Sequence, residues 1–476
     1  MKKTKREKLT FKNIVTNSKD TNPGDLFVAI KGSRFDGHNY VEEAAKKGAA
    51  FCLVSKDVWK TRTTKIGATP IVVVGDTRLE LSRLVAENYG IPSTKLKVIG
   101  ITGTNGKTTV SFLLDKILSD LGFNTGVVGT VFYKIGQKKI DGERTTPDAL
   151  QLNYLLHRMV EENVDYVIME VSSHALHQKR TAHVYYDAAV FTNLTPEHLD
   201  YHGTMADYFK SKLKIFDNLK ANGIAILNND EPKTKLIRKR ISGKILTYAV
   251  NKKADIVAHD IKTAINGSEF KVVTPGDKLS IKTKLIGAHN ISNILSAVAT
   301  AYTFGLDLKG IEKSINSFQE PPGRLESIKE GQPFKVFVDY AHTEDALEKI
   351  LLALRPYTKG HLITIFGCGG DRDKTKRSRM GKVSGKYSDF TIITSDNPRS
   401  ENPQVIAKEI ESGIRNLKAE YRIVLDRKDA IKTGLDMARG GDIVLVAGKG
   451  HETTQVIGNK SLPFDDREVI RELLSK

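Results

Sequence analysis

Gly103-Thr104-Asn105-Gly106-Lys107-Thr108-Thr109 has the composition of a loop that cradles phosphate. Its glycines let the main chain approach an anion closely, Lys107 can neutralise terminal phosphates, and the Thr108 hydroxyl can ligate Mg²⁺. The flanks fit. Lys97–Ile101 is a short apolar run ending in a turn, and Val110, Leu113, Leu114, Ile117, Leu118 and Leu121 recur at helical spacing before Gly122. The loop therefore falls between a strand and a helix N-terminus, where free N–H groups and the helix dipole favour negative charge. ATP is the first ligand this implies. The spacing is short of the full motif, because Ile101 stands where a glycine six residues before the lysine is usual, leaving G-x-x-G-K-T. A glycine-rich turn that holds no ligand is the alternative.

Three further segments carry reactive side chains. Glu170 ends the apolar run from Tyr166 and precedes Ser172-Ser173-His174, where a carboxylate could hold a phosphate-bridging Mg²⁺ or be a buried acid satisfied by backbone donors. Asn193 to His202 supplies two histidines, His198 and His202, with acids between, and reads equally as a catalytic segment or a loop of capped turns. Lys210, Lys212 and Lys214 fall on a helix, whose ordinary reading is a solvated basic face.

The elements that must position these groups alternate between strand and helix. Residues 1–95 form a first unit, with a turn and strand in Pro23–Gly32, a strand at Ile71–Val74, and Ile91–Thr94 as the linker. From 96 to 320, Tyr166–Val171, Ala188–Thr192 and Gly223–Leu227 read as buried parallel strands. Pro321-Pro322-Gly323 opens a third unit, 321–476, with strands at Val336–Val338, Leu362–Phe366, Phe390–Thr394 and Ile443–Val446 and a helix carrying Leu347, Ile350, Leu351 and Leu354. The pattern predicts an α/β protein of three domains, the second and third doubly wound, and a length of 476 residues suits about three domains of ordinary size.

Composition narrows the function classes. Hydrophobic residues make up 39% of the chain, enough for several cores, and no apolar run approaches the ~20 residues of a membrane span. The basic start lacks an apolar core, so it does not read as a secretory signal, and a cytoplasmic protein is expected. Cys52 and Cys368 give neither a disulfide framework nor a metal spacing and are expected as buried thiols. The net charge of +18 is spread along the chain without an aromatic-interleaved basic stripe. That distribution argues against nucleic acid and suits an anionic small substrate.

Taken in order, Gly103–Thr109, Thr145-Thr146-Pro147-Asp148, Met169–Leu176, His198–Gly203, Gly287–Asn293, Gly323–Glu326, Val338–Thr343, Asp396–Arg399 and Gly448–Glu452 resemble the ordered motifs of the Mur ligases over the whole chain. The resemblance implies a uridine-nucleotide-binding α/β domain, a central P-loop ATPase domain with a mainly parallel sheet, and a mobile C-terminal Rossmann-like domain that binds an amino acid. It implies that Gly103, Thr104, Asn105, Gly106, Lys107, Thr108, Thr109, Asn293, Arg324 and Asp339 surround ATP. Thr16 and Ser18 fall in the uridine-nucleotide segment, with Ser33-Arg34-Phe35 near it at positions that vary in the family. Thr145, Thr146, Ser172, Gln178 and Arg180 match residues that hold the muramoyl peptide and its phosphates. Lys107, Glu170, His198 and Lys212 match catalytic positions; with Thr108 the last three form the implied ligand set of two Mg²⁺ ions, Lys212 as a carbamate.

The activity implied is an ATP-dependent amide ligation. The substrate carboxylate is first phosphorylated to an acyl phosphate, which the amine of an amino acid then attacks, while domain closure excludes water. The motif Asp396-Asn397-Pro398-Arg399 resembles the form found where meso-diaminopimelate is added to a UDP-muramoyl dipeptide in peptidoglycan synthesis, with Arg372, Gly448 and Glu452 beside it. L-lysine is the alternative amino acid. Arg399 would grip the distal carboxylate and Glu452 the neighbouring ammonium. A monomer acting on small molecules is expected. Competing readings are a folylpolyglutamate-synthase-like ligase, against which the first 95 residues speak, a non-catalytic nucleotide sensor, and a nucleic-acid-binding ATPase.

Overall fold

A computed structural model describes residues 10–32, 35–60, 63–417 and 419–475. Three main sheets follow one another along the chain. The first has five strands in the order Ile14–Val15, Leu26–Val28, Phe51–Ser55, Thr69–Val74, Lys65–Ile66, parallel except for the last.

The second sheet has eleven strands, and its parallel centre runs Lys244–Ala249, Leu219–Asn228, Tyr186–Phe191, Lys97–Thr102, Tyr166–Glu170, Thr125–Val128. Ile256–Ala264 joins it in parallel beyond Lys244–Ala249, and antiparallel strands then extend the sheet at both ends. Alternate side chains leave opposite faces of a strand. Ile99 and Ile168 accordingly enter one core with Val110, Leu114, Ile294 and Val298 of the helices Lys107–Asp120 and Ala288–Thr303. Val98 and Val167 enter the other with Leu152, Leu156 and Tyr208 of Ala149–Glu161 and Met205–Leu213. Burial on both faces is why these strands read as unbroken apolar runs.

The third sheet runs Glu326–Ile328, Lys335–Asp339, Ile443–Ala447, Leu362–Phe366, Phe390–Ile393, Glu420–Ile423, parallel except for its first strand. The strands expected from the apolar runs are all present, within a few residues at their ends. Both cysteines are free and buried, as expected. Among the described residues no helix is long and apolar enough to cross a membrane.

In open α/β sheets ligands bind beyond the carboxyl ends of the strands. Those ends carry the chemistry here. In the central sheet they release the loop after Thr102, Glu170, and the segment after Phe191; in the third they release Asp339, Gly369–Arg372, Asp396–Arg399 and Gly448–Glu452.

Candidate active site

The phosphate loop has the backbone its glycines allow. Gly103 and Gly106 take φ of 149° and 90°, and a Cβ on either would lie 1.9 Å from Thr192 Oγ1 or 2.3 Å from Asn293 Oδ1. Helix Lys107–Asp120 is entered through Gly106, with no side-chain cap on its first N–H groups. Those donors are left for an anion. The Thr108 hydroxyl donates to Glu170 at 2.8 Å and accepts from Arg324 at 3.2 Å. Arg324 stacks on the Tyr340 ring, and the carboxylate of Asp339 accepts the N–H groups of Leu325 and Ala341, both at 2.6 Å. Burial raises Asp339 to about 6 in spite of these partners and Arg324.

Glu170 is fully buried and accepts the amide and hydroxyl of Thr130 as well as Thr108. Thr108 and Glu170 thus present oxygen donors side by side, the donor type Mg²⁺ prefers. Among the described residues no group of three or more His, Cys, Asp or Glu side chains is gathered to hold a metal. The four expected ligands do not all touch: His198 turns its ring to Glu197, and the Lys212 ammonium donates to the Gly103 carbonyl at 2.7 Å.

The three lysines differ sharply. Lys210 is exposed and Lys214 half-buried, but Lys212 retains only 1% exposure. The solvated-face reading therefore fails for Lys212, which points into the sheet side of its helix. Burial, and then the charge of Lys107, push its proton affinity well below the usual value.

A cavity of about 610 Å³ is lined by the phosphate loop, Glu170, His198 and Asn293 of the central unit and by Arg324, Asp339, Tyr340 and helix Glu344–Leu354 of the third. A second, of about 310 Å³, is lined by Arg372, Asp396, Asn397, Arg399, Gly448 and Glu452. The cavities share Glu197, His198, Tyr340 and His342 as a common wall. Glu197 went unremarked as a candidate, since an acid in a polar loop carries no signal by itself. Burial would raise it, but His198, His342 at 3.3 Å and Lys107 outweigh that and hold it well below the usual carboxylate range.

In the second cavity Asn397 donates to Glu452 at 2.8 Å, and the fully buried Lys449 reaches Glu452 at 3.2 Å. Arg399 donates to the Gly370 carbonyl and Arg372 to that of Asp371, and among the described residues neither guanidinium has an ion-pair partner. Burial and the neighbouring Arg372 lower the proton affinity of Arg399.

Thr145, Thr146, Ser172, Gln178 and Arg180 form one connected patch beside Glu170. Thr146 donates to the Glu170 carbonyl and accepts from the Ser172 amide; Arg180 donates to the Thr146 carbonyl and to Gln178; Thr145 shares a hydrogen bond with Thr130. Ser18 lies apart in the first unit, donating to Glu43, with Thr16 near it in sequence. Ser33 and Arg34 lie outside the described residues, and Phe35 is highly exposed.

Comparisons with known proteins agree across the chain. Residues 10–87 match the model "Mur ligase family, catalytic domain", 101–301 "Mur ligase middle domain", and 323–450 "Mur ligase, glutamate ligase domain". The chain is 42% identical over 463 residues to a UDP-N-acetylmuramoyl-L-alanyl-D-glutamate–2,6-diaminopimelate ligase of Caldanaerobacter subterraneus, covering 97% of this chain and 94% of that one. It is 40% identical to the protein of the same name from Geobacillus thermodenitrificans over 461 residues, 96% and 93% of the two chains. A solved structure of a ligase of that name superposes with a TM-score of 0.67 at 31% identity, covering 98% of this chain and 95% of the other.

Proposed function

The chain belongs to the Mur ligase family, and from that premise we propose that it is an ATP-dependent, ADP-forming ligase joining meso-diaminopimelate to UDP-N-acetylmuramoyl-L-alanyl-D-glutamate in peptidoglycan precursor synthesis. In this reading residues 1–95 hold the uridine nucleotide with Thr16 and Ser18, 96–320 hold ATP and the muramoyl peptide, and 321–476 bring the amino acid. The enzyme works as a monomer in the cytoplasm.

The 610 Å³ cavity takes ATP, its phosphates on the uncapped amides after Gly106 and its γ-phosphate toward Lys107. Thr145, Thr146, Ser172, Gln178 and Arg180 hold the muramoyl peptide so that its terminal carboxylate faces that phosphate. One carboxylate oxygen attacks phosphorus, the bond to the β-phosphate oxygen breaks, and ADP leaves an acyl phosphate. Two anions must meet for this, and Lys107 with the loop amides offsets their repulsion. Thr108, Glu170, His198 and a carbamate on Lys212 would hold Mg²⁺, which when bound screens the same charge. The amine of diaminopimelate, presented from the 310 Å³ cavity, then forms the C–N bond; it loses a proton and phosphate departs. Closure of the third unit over the central one, across which Glu197 and His342 meet, would keep water from the acyl phosphate.

The observation that carries the choice of amino acid is the pair Arg372 and Arg399, two guanidiniums beside one cavity with no ion-pair partner among the described residues. A distal carboxylate completes them, and Glu452 accepts the neighbouring ammonium. L-lysine would leave the partly buried Arg399 unpaired, a mismatch that can reject an analogue by roughly 10⁴-fold. Phosphate release measured with the muramoyl dipeptide nucleotide and each amino acid tests this. Diaminopimelate is expected to have the higher kcat/KM by orders of magnitude, and equal values or a preference for lysine would overturn the reading.

A further inference from the structure

Arg372 and Arg399 stand on different loops, after Leu362–Phe366 and after Phe390–Ile393, so a two-pronged grip on one carboxylate depends on how those loops are held together. We propose that Arg377 is the positioning residue that sets their spacing and thereby the preference for an amino acid with a distal carboxylate. The inference rests on the reading of the site given above.

Arg377 lies in helix Thr375–Tyr387 with no exposure and lines neither cavity. A guanidinium buried this completely forfeits its hydration and persists only with well-placed partners. It has four contacts. Nη1 donates to Glu401 at 3.0 Å and Glu409 at 2.6 Å, and Nη2 to the other oxygen of Glu401 at 2.9 Å and to the Gly369 carbonyl at 3.2 Å. One planar group therefore bridges both loops and the helix that follows the second. Glu401 extends the bridge by accepting the Asp371 amide at 2.6 Å, and the Arg377 hydrogen bonds hold its carboxyl down at about 2.

The loops so joined are under local strain. Asp371 and Arg399 take φ of 53° and 51°, a left-handed conformation that is unfavourable for a non-glycine residue and survives where surrounding contacts over-determine it. The contacts are close: Gly370 N–H donates to the Asn397 carbonyl, Ser400 to Asp371, and Arg399 to the Gly370 carbonyl. A Cβ on Gly370 would lie 1.9 Å from the Pro398 oxygen. Lysine at 377 keeps the charge but, as a point donor, cannot span two carboxylates and a carbonyl in one plane.

Arg377→Lys, Glu401→Gln, Arg399→Ala and the double variant Arg377→Lys/Arg399→Ala are compared by steady-state kinetics with meso-diaminopimelate, L-lysine and ATP. Arg377→Lys is expected to raise KM for diaminopimelate about tenfold or more and to narrow its preference over lysine, with KM for ATP within about twofold of wild type. Glu401→Gln moves the same way, and the double variant discriminates no worse than Arg399→Ala alone, the non-additivity of residues acting as a unit. Retained discrimination in Arg377→Lys and Glu401→Gln, when Arg399→Ala has lost it, overturns the role of Arg377 and leaves the site reading standing. An equal rise in KM for all three substrates also overturns it, since a merely structural residue would act that way. Retained discrimination in Arg399→Ala overturns the site reading and the inference together.

Discussion

Lys107 and Lys212 donate to the same acceptor: their ammonium nitrogens lie 2.9 and 2.7 Å from the carbonyl oxygen of Gly103. Two like charges converge on one oxygen at the mouth of the phosphate loop, and burial lowers the proton affinity of both. An arriving polyphosphate relieves this crowding, because it offers Lys107 a counter-charge. Removing Lys107 therefore costs catalysis rather than fold. Lys107→Ala is expected to lower kcat about a hundredfold or more while the melting temperature stays within a few degrees of wild type. Phosphate-release assays and thermal melts check this, and a variant retaining more than about a tenth of the rate contradicts it.

Asp345 clasps the two halves of the ATP cavity. From helix Glu344–Leu354 it accepts from Asn105 of the phosphate loop at 2.8 Å and from Thr195 at 3.2 Å, while Lys349 holds it in place at 2.8 Å. A hydrogen bond to a charged group is worth about 1.5–3 kcal/mol, so Asp345→Ala should raise KM for ATP roughly tenfold. KM for the amino acid should change little. An ATP titration showing no change would remove Asp345 from domain closure.

Much of this was legible in the sequence, for identifiable reasons. The phosphate loop announces itself because glycine, lysine and threonine at fixed offsets have few other uses between an apolar strand and an amphipathic helix. The parallel strands were readable because burial on both faces leaves unbroken apolar runs. Lys212 was not distinguishable from Lys210 by composition; its burial depends on helix packing, and the role expected of it came only through the resemblance to the Mur ligases. Glu197, Asp345 and Arg377 escaped notice because their partners, His342, Asn105 and Gly369 among them, come from other segments, in the first two cases from another sheet's unit. Pairings between distant segments leave no local pattern.

Asp339 gives a pH signature. Burial raises its pKa from 3.8 to about 6, so the folded protein binds this proton more tightly than the unfolded chain. Its contribution to stability is fully present below about pH 4 and is lost as pH rises through about 6, up to about 3 kcal/mol for a two-unit shift. Asn cannot titrate. The melting temperature of wild type relative to Asp339→Asn should fall between about pH 4 and pH 7 and level off above. A difference independent of pH would show that Asp339 stays ionised throughout, held by the Leu325 and Ala341 amides.

Lys212 sits where an amine can be carbamylated. It is buried, and burial together with Lys107 lowers its proton affinity, which favours the neutral amine whose lone pair can attack carbon dioxide. In the proposed reading the N–C bond would form, a proton would leave, and a cation would become an anion, a change of sign that suits Mg²⁺. Lys212→Ala is therefore expected to be nearly inactive and partly restored by a short carboxylic acid such as formate or acetate, which can fill the vacated space and supply the missing oxygens. Lys210→Ala and Lys214→Ala should keep most activity, because Lys210 faces solvent and Lys214 is only half-buried. A crystal grown at high bicarbonate should show density continuing beyond the Lys212 nitrogen. Mass spectrometry in acid is a poor substitute, since carbamates decompose there. A bare ammonium in such a crystal, or full activity in Lys212→Ala, would refute the assignment and leave Lys212 as a buried donor to the Gly103 carbonyl.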